Sequence, residues 1–139
     1  MDSQSQTITN TLGKFSVGEN GIIYFQQVDN FITDERAAAA ILESVFALDN
    51  SGAARVIVIQ GQGVEYSFKS ILALITSHVV SQLAFVAQTK TQLLTSGLLK
   101  QLAKTLKAQF AIELFSSVEH AEAWLREEPE YMAIPFTVV

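Results

Sequence analysis

The chain has 139 residues, a formal net charge of −5 and no cysteine, which bounds it to one ordinary domain and excludes disulfides, thiolate metal sites and cysteine nucleophiles. Nine basic residues against fourteen acidic ones leave no electrostatic footprint for nucleic acid or for an anionic membrane surface. Hydrophobic residues at 49% with only 17% charged form a heavy apolar load for so small a chain, and imply buried surface beyond its own core: a homodimer interface or a lipophilic cavity.

Residues 1–11 are polar and aperiodic, and are expected to be loose. They carry no basic region followed by an apolar one, so no signal peptide is expected. No apolar run reaches the roughly 20 residues of a membrane span. Together with the missing cysteines this fits a cytoplasmic location. Leu12 to Val17 and Ile22 to Phe25, separated by Gly18-Glu19-Asn20-Gly21, read as a β-hairpin. Thr33 stands as the N-cap of a helix, with Asp34 and Glu35 set against its dipole. Ala37, Ala40, Ile41, Ser44, Val45 and Leu48 give that helix a narrow face of mostly small residues, suited to lying close on a sheet. Asp49-Asn50-Ser51-Gly52 ends it.

Val56-Ile57-Val58-Ile59 is an unbroken β-branched run with no polar side. Such a strand must be covered on both faces, which makes it the central parallel strand of a strand-helix-strand unit. A loop from Gln60 to Tyr66 follows, then a helical pattern opens at Ser67 and runs through Ile71, Leu72, Ile75 and Val79. Leu83 to Ala87 is a second buried strand. A third helix is predicted from about Thr89 to Leu106, with Leu94, Leu98, Leu102 and Leu106 at every fourth position and Leu99 and Ala103 widening the stripe. Gly97 inside it costs about 1 kcal/mol relative to alanine.

Gln109 to Phe115 is the next strand, with Phe110, Ile112 and Leu114 alternating against Ala111, Glu113 and Phe115. Ser116 and Glu119 have capping-box spacing for a last helix that carries Ala121, Trp124 and Leu125 and stops at Pro129. Val56, Leu83 and Phe110 begin strands at equal intervals, as repeated β-α units do, with crossovers expected to be right-handed. The tail, 129–139, is apolar. Phe136-Thr137-Val138-Val139 has strand propensity, and is expected on an edge of its own sheet or, preferably, on a neighbouring subunit. The fold class is α/β: a single, mostly parallel sheet with an antiparallel N-terminal edge hairpin and flanking helices.

Three stretches carry a family resemblance: Glu19-Asn20-Gly21-Ile22-Ile23-Tyr24, the loop-to-helix junction Tyr66-Ser67, and Glu113-Leu114-Phe115-Ser116-Ser117-Val118-Glu119-His120-Ala121-Glu122-Ala123-Trp124-Leu125. With the element order, they make residues 15–127 resemble the STAS-like domains, the anti-sigma-factor-antagonist fold. More closely, the chain resembles small bacterial domains of unknown function assigned to that superfamily. The resemblance implies a regulatory domain without catalytic activity that acts through protein–protein contact. In the sigma-regulatory members a serine at the start of the helix after the central strand is phosphorylated, within an Asp-Ser-Ser-Gly-like motif. That position is Ser67 here, with Tyr66 in place of the aspartate and Phe68-Lys69 in place of the serine-glycine. An N-cap role accounts for this serine without a switch.

Other signals are weaker. Gly61-x-Gly63 starts like a dinucleotide fingerprint, but the third glycine position holds Tyr66 and the loop is long, so no nucleotide cofactor is expected. His78, at the edge of an apolar helix face, and His120, beside Glu119 and Glu122, are too few for a conventional metal site. Lys100, Lys104 and Lys107 share one helical side and read as a solvated face. No catalytic constellation, cofactor or metal is expected. Open α/β sheets bind ligands beyond the carboxyl ends of their strands. That edge should carry Gln60, Gln62, Tyr66, Ser67 and Phe68, apolar bodies with neutral polar tips, as a ligand rim or partner surface. Two readings follow: a non-catalytic interaction domain, homodimeric and with a protein partner, or a carrier or sensor of a small apolar or lipid-like ligand held between helices and sheet.

Overall fold

In a computed structural model that describes residues 6–127 and residue 134, the β-branched run occupies the position its composition demands. The strands are β1 (Thr7–Asn10), β2 (Gly13–Val17), β3 (Ile23–Gln27), β4 (Ile32–Thr33), β5 (Ala54–Ile59), β6 (Glu65–Tyr66), β7 (Val80–Val86) and β8 (Ala111–Phe115). The helices are α1 (Glu35–Leu48), α2 (Phe68–Ile75), α3 (Lys90–Thr105) and α4 (Val118–Leu125). Six strands form one sheet in the order β1-β2-β3-β5-β7-β8. β1, β2 and β3 pair antiparallel, and every pairing from β3 to β8 is parallel. The α/β class with an N-terminal antiparallel hairpin is therefore the observed one.

Along β3-β5-β7-β8 each crossover steps one strand in the same direction. Its helix stays on the same face, so the three crossovers share one hand. Phe15, Phe25, Val56, Val58, Phe85, Ile112 and Leu114 point to that face and pack with Ala37 and Val45 of α1, Ile75 of α2, and Leu99 and Ala103 of α3. Phe15 and Phe25 are register partners, and their rings stack 4.1 Å apart. The opposite face of β5, β7 and β8 turns Ile57, Ala84, Val86 and Phe115 toward Ala121 and Leu125 of α4. β5 is thus apolar on both sides because both sides are covered. The hairpin beside it has Thr7, Thr9, Lys14 and Gln26 exposed, the alternation of a sheet with one wet face.

Two contacts tie the hairpin to α4. Arg55 donates from Nη2 to the Asn20 carbonyl at 2.7 Å and from Nη1 to the Leu125 carbonyl at 3.2 Å, satisfying one of the open carbonyls that end a helix. Tyr24 donates its hydroxyl to Glu122 Oε2. Burial, first, and the neighbouring Glu122 carboxylate hold the Tyr24 phenol above its ordinary value.

Several local expectations shift. Thr7–Asn10, expected to be loose, is an edge strand bonded to β2. Asp34, not Thr33, caps α1, accepting from the Ala37 N–H at 2.8 Å. Thr33 is instead in β4, its carbonyl accepting from the Ser67 N–H at 2.9 Å. Ser117 rather than Ser116 caps α4, accepting from the His120 N–H. α2 stops at Ile75, so Val79 and His78 lie beyond it and His78 is exposed. α3 keeps its predicted span, but Lys107 follows it at φ 58° and leaves the lysine row. Lys100 is ion-paired to Glu113 at 2.9 Å. α4 ends at Leu125 with Arg126 as its C-cap. The expected stop at Pro129 and the tail lie outside the described residues, apart from Ile134. That residue donates its N–H to the Leu114 carbonyl at 2.6 Å and packs on the helix-side core.

Candidate functional site

The candidate residues sit near the carboxyl ends of the parallel strands: Phe68 opens α2, Ser67 caps it, Tyr66 ends β6, and Gln60 and Gln62 lie on the β5–β6 loop. That loop packs directly on the connection after β3, which explains its two glycines. A Cβ on Gly61 would collide with the Val28 carbonyl, so only glycine fits there. Gly63 has φ +65°, and a Cβ there would meet Asn30 Oδ1 at 2.6 Å. Gln62 is pinned by its backbone: its N–H donates to Asp29 Oδ1 at 2.9 Å and its carbonyl accepts from the Asn30 N–H at 2.7 Å. The pattern that begins like a dinucleotide fingerprint is the signature of two loops in close contact.

Gln27 organises the space underneath. It is the last residue of β3 and faces the helices by alternation with Ile23 and Phe25. Its Oε1 accepts from the Gly61 N–H at 3.2 Å and its Nε2 donates to the Tyr66 hydroxyl at 2.7 Å. Burial pushes the Tyr66 phenol up to about 12 against an ordinary 10.0, with the Gln27 bond pulling the other way. The edge of the Tyr66 side chain reaches an apolar cavity between α1, α2 and the sheet, also bounded by Phe25, Ile41, Val45, Leu74 and Phe85. The space there open to the centre of a water-sized sphere is ≈ 50 Å³.

Ser67 is the N-cap of α2. Its Oγ accepts from the Ser70 N–H at 3.1 Å, and Ser70 Oγ donates back to the Ser67 carbonyl at 2.7 Å. Phe68, the first residue of α2, is 62% exposed. Gln60 and Gln62 lie on the other side of the loop, on a larger cavity of ≈ 240 Å³ by the same measure, whose far wall is the first turns of α3 at Thr89, Thr91, Gln92 and Thr95. The five residues singled out from sequence therefore divide: two border a polar cavity, one an apolar cavity, one caps a helix and one faces solvent.

Gln92 fixes the polar cavity and was not anticipated. It closes a capping box with Thr89. Its Oε1 accepts from the Gln88 N–H at 2.7 Å and the Thr89 N–H at 3.2 Å, and its Nε2 donates to the Gln60 carbonyl at 3.0 Å. The N-terminus of α3 is thereby joined to the end of β5. Thr89 with Gln92 three residues on is a readable capping signal. The long-range bond to Gln60 has no local sequence signature.

Away from the strand ends, α3 buries Leu99 and Ala103 but leaves Leu94 at 55% and Leu98 at 44% exposure, with Leu106 at 45% just past its end. Among the described residues no cluster of three or more His, Cys, Asp or Glu side chains is spaced to hold a metal, and no helix is long and apolar enough to cross a membrane. Comparison with protein-family models, with characterised proteins and with solved structures found no match.

Proposed function

We propose that this chain is a non-catalytic, regulatory interaction domain of STAS-like type, cytoplasmic, which works through protein–protein contact as a homodimer. The observation that carries the reading is the uncovered pair Leu94 and Leu98, one turn apart on a helix that buries Leu99 and Ala103 elsewhere on its surface. Leucines so exposed in a row are a surface awaiting a partner. A second copy fits because a stripe on one helix pairs with itself across a two-fold axis. Lys100 of the same helix is ion-paired with Glu113. Size-exclusion chromatography with light scattering tests this. The native chain should run as a dimer and the Leu94→Glu/Leu98→Glu double variant as a folded monomer, since both side chains are already about half in water. A native chain that is monomeric at all accessible concentrations would falsify the reading.

A second reading, a carrier or sensor of a small apolar ligand, is favoured by the apolar cavity under α1 and α2. Its ≈ 50 Å³ is room for on the order of four waters, so a lipid-like ligand would require α1 and α2 to part. Native mass spectrometry of the purified chain checks this: extra mass on the folded protein supports it, and bare protein opposes it.

A further inference from the structure

Asn20-Gly21, in the turn between β2 and β3, is the one place in the chain where glycine follows an asparagine. Both residues are exposed. Gly21 lies at φ +79°, a conformation that glycine adopts without cost, and it has no side chain to crowd its nitrogen. Two donors converge on Asn20. The Ile22 N–H donates to Asn20 Oδ1 at 2.9 Å, the bond a turn asparagine makes with its own backbone two residues on. Arg55 Nη2 donates to the Asn20 main-chain carbonyl at 2.7 Å, and this bond is charge-assisted.

The Asn20 carbonyl and the Gly21 nitrogen belong to one peptide group. A guanidinium on that oxygen draws charge from the nitrogen and makes its proton easier to lose. Once hydroxide has taken the proton, the nitrogen can attack Asn20 Cγ, and negative charge then gathers on Oδ1, where the Ile22 N–H already points. Donors fixed in advance where charge develops lower the barrier. The new bond joins Cγ to the Gly21 nitrogen, the Cγ–Nδ2 bond breaks, and Nδ2 leaves as ammonia with a proton from solvent. Water opens the resulting cyclic imide at either carbonyl, giving aspartate when it attacks Cγ and isoaspartate when it attacks the main-chain carbon. Arg55 polarises the main-chain carbonyl and so favours isoaspartate. One bond opposes the step: the Gly21 N–H donates to the Gly18 carbonyl at 3.0 Å and gives this up on ionising. That bond is neutral, about half as strong as a charge-assisted one, so the balance lies with Arg55.

We infer that Asn20 is a self-modifying site, converting in the folded chain to isoaspartate with water and hydroxide as co-reactants. The other asparagines lack the combination. Asn10 Oδ1 also accepts from an N–H two residues on, that of Leu12 at 2.9 Å, but the next residue is the β-branched Thr11. Phe31 follows Asn30, and Ser51 follows Asn50. Conversion lengthens the main chain of the turn by one carbon, leaves the new carboxylate against Arg55, and removes the Nδ2 group that donates to Tyr24. Because Arg55 also holds the Leu125 carbonyl, the change reaches the end of α4. The site is separate from the leucines of α3 and does not depend on dimerisation.

The test is to age the purified full chain in mildly alkaline buffer, folded and in urea, and to follow it by tryptic peptide mapping. Cleavage after Lys14 and Arg36 leaves Asn20 and Asn30 on one peptide, 15–36, so Asn30 is an internal control. Mass spectrometry with electron-based fragmentation reads the exchange of an amide for an acid, its position, and aspartate against isoaspartate. In the folded chain Asn20 should convert while Asn10, Asn30 and Asn50 stay intact. Arg55→Met should slow the folded conversion about fivefold, as loss of a charge-assisted bond implies, and leave the rate in urea unchanged. The ratio of isoaspartate to aspartate in the native chain should be higher folded than in urea, and this carries the test should Arg55→Met not fold. The inference is overturned if Asn20 stays intact in the folded chain, if folded Arg55→Met converts as fast as the native chain, or if the product ratio is the same folded and in urea.

Discussion

Ser67 and Tyr66 are adjacent, yet different physics governs each. The Ser67 hydroxyl accepts from the Ser70 N–H, so Ser67→Ala should destabilise the chain by about 1 kcal/mol in urea denaturation, whereas Ser67→Asp should be nearly neutral because a carboxylate also caps and suits the dipole. Loss of self-association in Ser67→Asp alone would argue for a phosphoserine switch instead. Tyr66 sets a pH dependence. Its folded value, about 12, lies above the ordinary 10.0, so the unfolded chain releases this proton first as pH rises. The stabilisation is fully present below pH 10 and is lost between about pH 10 and pH 12, amounting to roughly 3 kcal/mol. Tyr66→Phe should flatten that part of the stability profile relative to the native chain and, at neutral pH, lose about 1 kcal/mol with the Gln27 bond. Ser67 was legible as a cap because capping depends on a few consecutive residues. At Thr33/Asp34 and Ser116/Ser117 two suitable residues are adjacent, and local rules do not choose between them. The pairing of β4 with β6 draws Thr33 into a strand and leaves Asp34 as the cap.

At the scale of elements, the long apolar segments announced themselves and the short ones did not. β5 and β7 were legible because both faces are covered, so their composition has no polar phase to hide behind. β4 and β6, two residues each, are too short to carry a period. β1 is polar because it lies at an edge with one wet side, which made it look like loose chain. Even correctly found strands left their facing open: Ile57 and Phe85 lie on adjacent strands, but Ile57 points to α4 and Phe85 to α1–α3. Phe85→Ala should cost roughly 3–5 kcal/mol, a large part of the stability of an ordinary domain, and equilibrium unfolding would show it. A melting temperature equal to the native one would contradict the packing described. Gly61→Ala tests the contact between the two loops. The added methyl runs into the Val28 carbonyl, and overpacking of this kind costs about 1–3 kcal/mol. A variant as stable as the native chain would mean the loops separate easily.

For the whole molecule, the described apolar side chains left uncovered outside the core include the outer leucines of α3 and, elsewhere, Ile32, Phe46 and Phe68, and the β8 edge is a further surface to account for. Among the described strands β8 pairs only with β7, and a strand edge at the end of a sheet is of the kind that invites another strand. At Leu114 that edge is met by Ile134 of the same chain, which favours docking on the chain's own sheet over docking on a neighbour at this residue. Removing residues 128–139 should therefore take a hydrogen bond and a packed isoleucine from β8. The loss is about 2 kcal/mol, which lowers the melting temperature by several degrees. The bared edge should also promote association, which on its own would be confused with pairing through α3. Making the truncation in the Leu94→Glu/Leu98→Glu background separates the two, because α3 can then no longer pair. Concentration-dependent association that appears only on truncation must arise at the β8 edge. A truncated double variant that stays monomeric and melts with its full-length counterpart would mean that the Ile134 contact protects nothing.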